Sequence, residues 1–296
     1  MPTPSPRSVS LPNRALDVLG RVLIASGLLL LAFVAYQLWG TGIQQARSQK
    51  TLEKQYSFLY PARQSPGTTV PVVPERGEVI GRITIPRIEL NTWFVAGARL
   101  DELEKGPGLF AGSVLPGQFG NAAVAGHRTS YGAPFGELDK LVPGDPIIYE
   151  TAQGKFTYTV TSSEIVNAWR VDVVKTKDET KAVTTLVTCH PKWTSSKRLI
   201  VHASLSDTQL PLAPTPLATV TWDETDDSSP GWFHDPSRIY PSVLWASLLL
   251  VLWFAHRRLA GTGLRRITVS AVSAVAAVVV LFMLFENLTG LLPANL

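Results

Sequence analysis

Thr184-Thr185-Leu186-Val187-Thr188-Cys189-His190-Pro191 is the stretch from which the fold of this chain can be read. Four of its first five residues are β-branched, which suits a pleated strand and not a helix. Pro191 has no N–H for a ladder, so pairing must stop there and leave a strand end open. The only cysteine of the chain stands at that end. Working outward, similar short runs recur at 79–85, 92–96, 121–125, 146–150, 155–162 and 199–203, separated by turn signals. Gln153-Gly154 joins two of them as a hairpin, and Pro143-Gly144-Asp145 marks another turn. Helix is expected only at 100–105 and around 135–141. About seven short strands with little helix predict an all-β barrel or sandwich of roughly 130 residues, long enough to bury its own core.

Composition says that this core is not the whole protein. Of 296 residues, 45% are hydrophobic and only 17% charged, and the mean hydropathy of +0.14 is high for a water-soluble fold. That excludes a disordered chain. One Cys and two Met exclude a disulfide framework, an iron–sulfur centre and a cysteine-rich zinc site built by this chain alone. The sequence pI of 9.2 invites a nucleic-acid reading, yet residues 75–207 hold fifteen Lys and Arg against fifteen Asp and Glu. The basic excess lies beside apolar segments, so no nucleic-acid partner is expected.

Residues 22–39 carry no charge and nearly span a bilayer core of about 30 Å at roughly 1.5 Å per residue. A cleaved signal peptide shares this pattern, but the run is long for one and no clear small-x-small site follows. Residues 239–255 and 267–285 form a second apolar pair, with Arg257, Arg258, Arg265 and Arg266 between them. The positive-inside rule puts that loop and the N-terminal arginines on the cytoplasmic side. One multi-pass organisation satisfies both. A basic tail (1–21) leads to a transmembrane helix (22–39) and a proline-rich spacer (40–76). The core (77–207) is followed by a proline and acidic spacer (208–238) and a transmembrane helix (239–255). A cytoplasmic loop (256–266), a transmembrane helix (267–285) and an extracytoplasmic tail (286–296) complete the chain.

Cys189 would thus sit on the oxidising side of the membrane, where a lone thiol is either used or hidden. Most free cysteines are simply buried, but this one ends a strand. As a nucleophile it needs a neighbouring base or cation. Among the five histidines, His234 falls in a spacer and His256 at a membrane end. His190 adjoins Cys189, but consecutive strand residues face opposite ways. His127 follows a strand-like run, and His202 shares a face with Arg198. Spacing leaves both open. No ligand pair has a recognised zinc spacing, so neither metal nor cofactor is expected.

Three of these segments carry a resemblance. Thr185-Leu186-Val187-Thr188-Cys189 matches the TLxTC motif of sortases, the cysteine transpeptidases of Gram-positive surfaces. Ala125-Gly126-His127-Arg128 resembles their catalytic-histidine segment, and Lys197-Arg198-Leu199-Ile200-Val201 their arginine strand. The order and spacing agree, with 62 residues from His127 to Cys189 and nine more to Arg198. The likeness covers about residues 77–207. Thr129-Ser130-Tyr131-Gly132-Ala133-Pro134-Phe135 and Cys189-His190-Pro191 most resemble the class E enzymes of actinobacteria, whereas the hydrophobic C-terminus is similar to class C. The Asp-Pro-aromatic lid of class C is missing from residues 57–78.

The resemblance implies a closed eight-stranded sortase-like β-barrel with short helices, here joined to three transmembrane helices. It implies Cys189 as nucleophile, His127 as proton shuttle and Arg198 as the group that holds substrate or oxyanion. Thr188 and Tyr131 would contact substrate, and Arg128 would be a solvated neighbour. The expected reaction cleaves an LPxTG or LAxTG sorting signal on a secreted protein between Thr and Gly. The acyl group then passes to an amine of a cell-wall peptidoglycan precursor. A pilin lysine as acceptor, a secreted cysteine peptidase and a membrane-held binding module without catalysis are the competing readings.

Overall fold

The computed structural model describes residues 11–63, 74–193, 196–212, 236–259, 261–262 and 264–291. Its centre is a barrel of eight strands: β1 (Val79–Ile85), β2 (Leu90–Ala96), β3 (Gly108–Leu109), β4 (Gly120–Ala125), β5 (Pro146–Thr151), β6 (Gly154–Asn167), β7 (Ala182–His190) and β8 (Lys197–Leu205). They close in the order β1-β2-β3-β4-β7-β8-β6-β5. The β2–β3 and β4–β7 pairs are parallel and the others antiparallel. All seven expected strands are present. The eighth, β3, is a two-residue strand with too little sequence to show a period. It exists because Gly108 brings its backbone against the Gly97 carbonyl, a space that a Cβ would fill.

Strand alternation sets the core. Ile147, Tyr149 and Thr151 of β5 turn inward while their neighbours face out. Tyr149 meets Phe94 and Tyr158 edge to face at 5.5 and 5.6 Å, contacts worth about 1 kcal/mol each beyond area burial. The Tyr149 hydroxyl is 2.9 Å from Thr184 Oγ1, which donates to the Ala122 carbonyl, so the buried oxygens are partnered. Strand β4 is buried at all six positions. Its outward side is closed by Ser113, whose Oγ accepts from Ala123 N, and by Asn121, whose amide donates to the Val174 carbonyl.

Helix α3 (Leu100–Leu103) and the 3-10 turn Leu138–Lys140 fall where helix is expected. The segment read as a proline-rich spacer is different. Helix α1 (Leu11–Ala35) passes through a π turn (Tyr36–Gly40) straight into α2 (Thr41–Arg63). The prolines at 66 and 71 lie outside the described residues, and the stretch before them, Gln44-Gln45-Ala46-Arg47 onward, consists of good helix formers.

Helix α2 is docked. Leu52 is buried against Val79 and Val95, and Tyr56 packs on Trp93 at 4.7 Å. Gln49 accepts from Trp93 N at 2.7 Å and donates to the Trp93 and Lys105 carbonyls, satisfying backbone groups that β2 leaves unpaired. On the other side of the chain, α4 (Ile239–Leu259) and α5 (Leu264–Leu291) form a hairpin. Phe282 and Phe285 of α5 pack on Tyr36 and Phe33 at 5.1 Å. Among the described residues, three helices are long and apolar enough to cross a membrane. Most of the acidic spacer, 213–235, lies outside the described residues.

Candidate active site

Three neighbouring strands converge on one end of the barrel. Across the β7–β8 ladder Cys189 is the direct partner of Arg198, so the two side chains share a face. On the other side of β7 the parallel register pairs Ala125 with Val187. Gly126 N then donates to the Val187 carbonyl at 3.0 Å, and Thr188 Oγ1 donates to the Gly126 carbonyl at 2.7 Å. His127 follows Ala125 by two residues, where β4 has ended, and the residues on either side of it, Gly126 and Arg128, are tied to Val187, Thr188 and Cys189. The loop that carries His127 therefore meets the end of β7 at Cys189 and the start of β8 at Arg198. Gly126 is needed for this. A Cβ there would lie 2.6 Å from the Phe135 ring.

Cys189, Thr188 and Arg198 line a groove whose walls are apolar: Phe110, Val173, Val174, Val187 and Ile200. The thiol is a free one, half-buried. Burial pushes its pKa up, against the pull of the Arg198 and Arg128 guanidinium charges. His127 is 5% exposed, and burial lowers its pKa from 6.5 to about 4. Its Nδ1 lies 3.4 Å from Ser130 Oγ, and its Nε2 is buried without a partner. At neutral pH the resting pair is accordingly thiol and neutral imidazole. A buried ring nitrogen without a partner is free to take up a proton.

The sequence left His127 and His202 open, and the fold separates them. His202 pairs with Thr185, four residues (about 13 Å) down β7 from Cys189. Its two nitrogens are engaged with Thr185 Oγ1 at 3.3 Å and Glu164 Oε1 at 3.1 Å. It does not line the groove.

Two expectations change. Tyr131 is buried and absent from the groove lining. Its ring lies 5.0 Å from the imidazole of His127, and its hydroxyl donates to Glu104 at 2.9 Å. Burial and the Glu104 charge both raise its pKa. Arg128 is not a solvated neighbour. It is 4% exposed, donating to the Cys189 carbonyl at 2.9 Å and to His190 Nδ1 at 3.0 Å, with Asp139 at 2.9 Å. Because a guanidinium only donates, His190 Nδ1 accepts and the ring carries its proton on Nε2. Arg128 thus ties the histidine loop to the cysteine strand. A single arginine beside a histidine gives no sequence signal for this, since its partners come from residues 139, 189 and 190.

Comparison with known proteins bears on the same region. The family model described as Sortase domain matches residues 83–206, most of the barrel. The chain is 31% identical to sortase SrtE2 of Streptomyces coelicolor over 212 residues, 66% of this chain and 84% of that protein. It is also 31% identical to sortase SrtE1 of the same organism over 202 residues, 63% of this chain, though it spans only 56% of that relative's length. Among solved structures, sortase E from Streptomyces avermitilis is 33% identical with a TM-score of 0.40, covering 45% of this chain and 90% of that one. A Clostridium perfringens sortase D5 is 26% identical with a TM-score of 0.46, covering 55% and 98%. A match that runs from β1 to the last residues of the barrel, and a relative aligned over most of its own length, lead to one conclusion: the chain belongs to the sortase family, the cysteine transpeptidases.

Proposed function

We infer that this protein is a membrane-held transpeptidase that cuts an LAxTG or LPxTG sorting signal between Thr and Gly and joins the threonine to a cell-wall amine. The observation that carries this is Cys189 and Arg198 as direct partners across β7 and β8 in one groove, with the loop of His127 tied to the same end of β7.

The chemistry follows from their states. Cys189 gives its proton to His127 and its sulfur adds to the threonine carbonyl carbon, placing a negative charge on the carbonyl oxygen. Arg198 stabilises that oxygen with fixed donors, an arrangement whose loss typically costs on the order of a hundredfold or more in rate. The C–N bond to glycine breaks as His127 protonates the departing nitrogen, leaving a thioester on Cys189. The acceptor amine then attacks the thioester carbon, His127 takes its proton, and the thiolate is released. Burial of both groups makes the thiolate–imidazolium form a small fraction of the resting enzyme, and the two titrate as a pair.

The proposed topology has the N-terminus and the loop between α4 and α5 in the cytoplasm and the barrel outside. Arg257 and Arg258 stack on Trp253 and Phe254 at that inner end. At the outer end, Trp39 and Tyr240 are 72% and 85% exposed, as interfacial aromatics would be. Incubating the full chain with Leu-Ala-x-Thr-Gly and Leu-Pro-x-Thr-Gly peptides and a small amine tests the reading. Amine-linked product is expected. Cleavage without amine incorporation would favour a peptidase, and equal turnover of both peptides would defeat the class E preference.

A further inference from the structure

The loop after β4 has a backbone that its own sequence does not favour. Tyr131, Gly132 and Ala133 have φ of +49°, +72° and +46°, three left-handed residues in a row of which only one is glycine. Such a conformation persists where surroundings over-determine it. Inside the loop, Ala133 N donates to the Ser130 carbonyl and Phe135 N to the His127 carbonyl. The remaining restraint comes from outside the barrel, from the first turn of α2.

Thr41 is fully buried. Its hydroxyl donates to the Gln37 carbonyl at 2.8 Å, which turns a lone pair toward Tyr131 N at 2.9 Å. One residue on, Gly42 faces Gly132, and a Cβ on Gly42 would stand 3.7 Å from Gly132 N, in ordinary van der Waals contact. Gln45 covers Gly132 from above. Gln44 donates to Glu104 Oε2 at 3.1 Å, and the other oxygen of the same carboxylate receives the Tyr131 hydroxyl. The backbone and the ring tip of Tyr131 are therefore both fixed by contacts that run to the membrane helix. The ring between those two points packs on His127.

We propose that Thr41 is a positioning residue for His127, acting through Tyr131, so that the anchor helix is a wall of the catalytic apparatus and not only a tether. The role rests on the reading of His127 as the proton shuttle. Without the Thr41 hydroxyl, Tyr131 N loses its acceptor in a buried place and the left-handed run relaxes. The ring then no longer confines the imidazole. The barrel separated from α2 would have the same defect.

The test uses the full chain in detergent or nanodiscs, comparing Thr41→Val with Thr41→Ser. Four quantities are read: kcat and KM with a sorting peptide and amine, hydrogen exchange of the Tyr131 amide, and the NMR titration of His127. The valine variant should lose about tenfold in kcat with KM unchanged, the effect of one lost hydrogen bond on a positioned group. Its Tyr131 amide should exchange at least about tenfold faster. Serine should restore both to within about twofold. His127 should titrate closer to its ordinary value in the valine variant alone. Should Thr41→Val fold poorly, Gln44→Ala, which loosens only the Glu104 end, should give a smaller loss of the same kind. Wild-type exchange and His127 titration in Thr41→Val would overturn the proposal, and so would a kcat loss that serine fails to repair. A wild-type chain inactive on every peptide would instead count against the function assigned above, while exchange and titration would still decide the coupling.

Discussion

Cys189 and Arg198 face each other as direct partners across the β7–β8 ladder, on the face that opens into the apolar groove. Directly opposed strand residues have Cβ atoms about 5 Å apart, so the guanidinium acts on the thiol as well as on any bound carbonyl. Replacing Arg198 by Ala should remove the leading charge that opposes burial and push the thiol pKa higher still. Iodoacetamide should then alkylate Cys189 more slowly at pH 7, and kcat/KM should fall by about a hundredfold or more. Alkylation at the wild-type rate would show that Arg198 does not act on the sulfur.

The depressed pKa of His127 sets two pH dependences with definite sign. In the folded chain it titrates near 4 and in the unfolded chain near 6.5, so the unfolded state binds the proton first. The stability linked to this residue is complete above about pH 6.5 and is lost as pH falls toward 4, to an extent of roughly 3 kcal/mol. His127→Gln should flatten that part of a denaturant-midpoint profile. The acid limb of kcat/KM should likewise lie near pH 4 and not near 6.5.

Arg128 and His202 should exchange the importance that the sequence suggests for them. Arg128→Met leaves the Cys189 carbonyl and His190 Nδ1 without a buried donor, at a cost of about 2–4 kcal/mol with loss of activity. His202→Ala removes half-exposed contacts to Glu164 and Thr185, and kcat should stay within about threefold. Thermal melts and turnover on the same preparations decide both.

Why the sequence showed the strands and not these contacts has a physical basis. Strands β1, β2 and β4–β8 announce themselves through β-branched runs bounded by Gly and Pro, a local signal. Spacing could not choose between His127 and His202, because that depends on which strand is parallel to β7. The resemblance selected His127, whose loop is held to the end of β7 through Gly126 and Arg128, while His202 lies four residues down β7. Docking of α2 was illegible because Gln49, Thr41 and Gln44 are polar residues whose partners are backbone groups and a carboxylate far along the chain. The surroundings of Tyr131 were hidden for the same reason. An aromatic residue in a loop beside His127 invites reading as a substrate contact, and the Glu104 carboxylate on its hydroxyl is not visible in the sequence.

The membrane topology has its own check. Thr262→Cys, introduced with Cys189→Ala, puts a single thiol in the short loop between α4 and α5. It should resist membrane-impermeant maleimide in intact cells and react after lysis. Labelling from outside would reverse the orientation assigned to the arginine clusters.

In the proposed reaction Cys189 carries the acyl group with His127 as its proton partner. Intact mass spectrometry of the full chain, mixed with a Leu-Ala-x-Thr-Gly peptide and no amine, measures this directly. An adduct of the peptide up to its threonine is expected, mapped to Cys189, discharged when amine is added, and absent from Cys189→Ala and His127→Ala. An adduct that forms equally in His127→Ala, or a product that appears with Cys189 replaced, would contradict it.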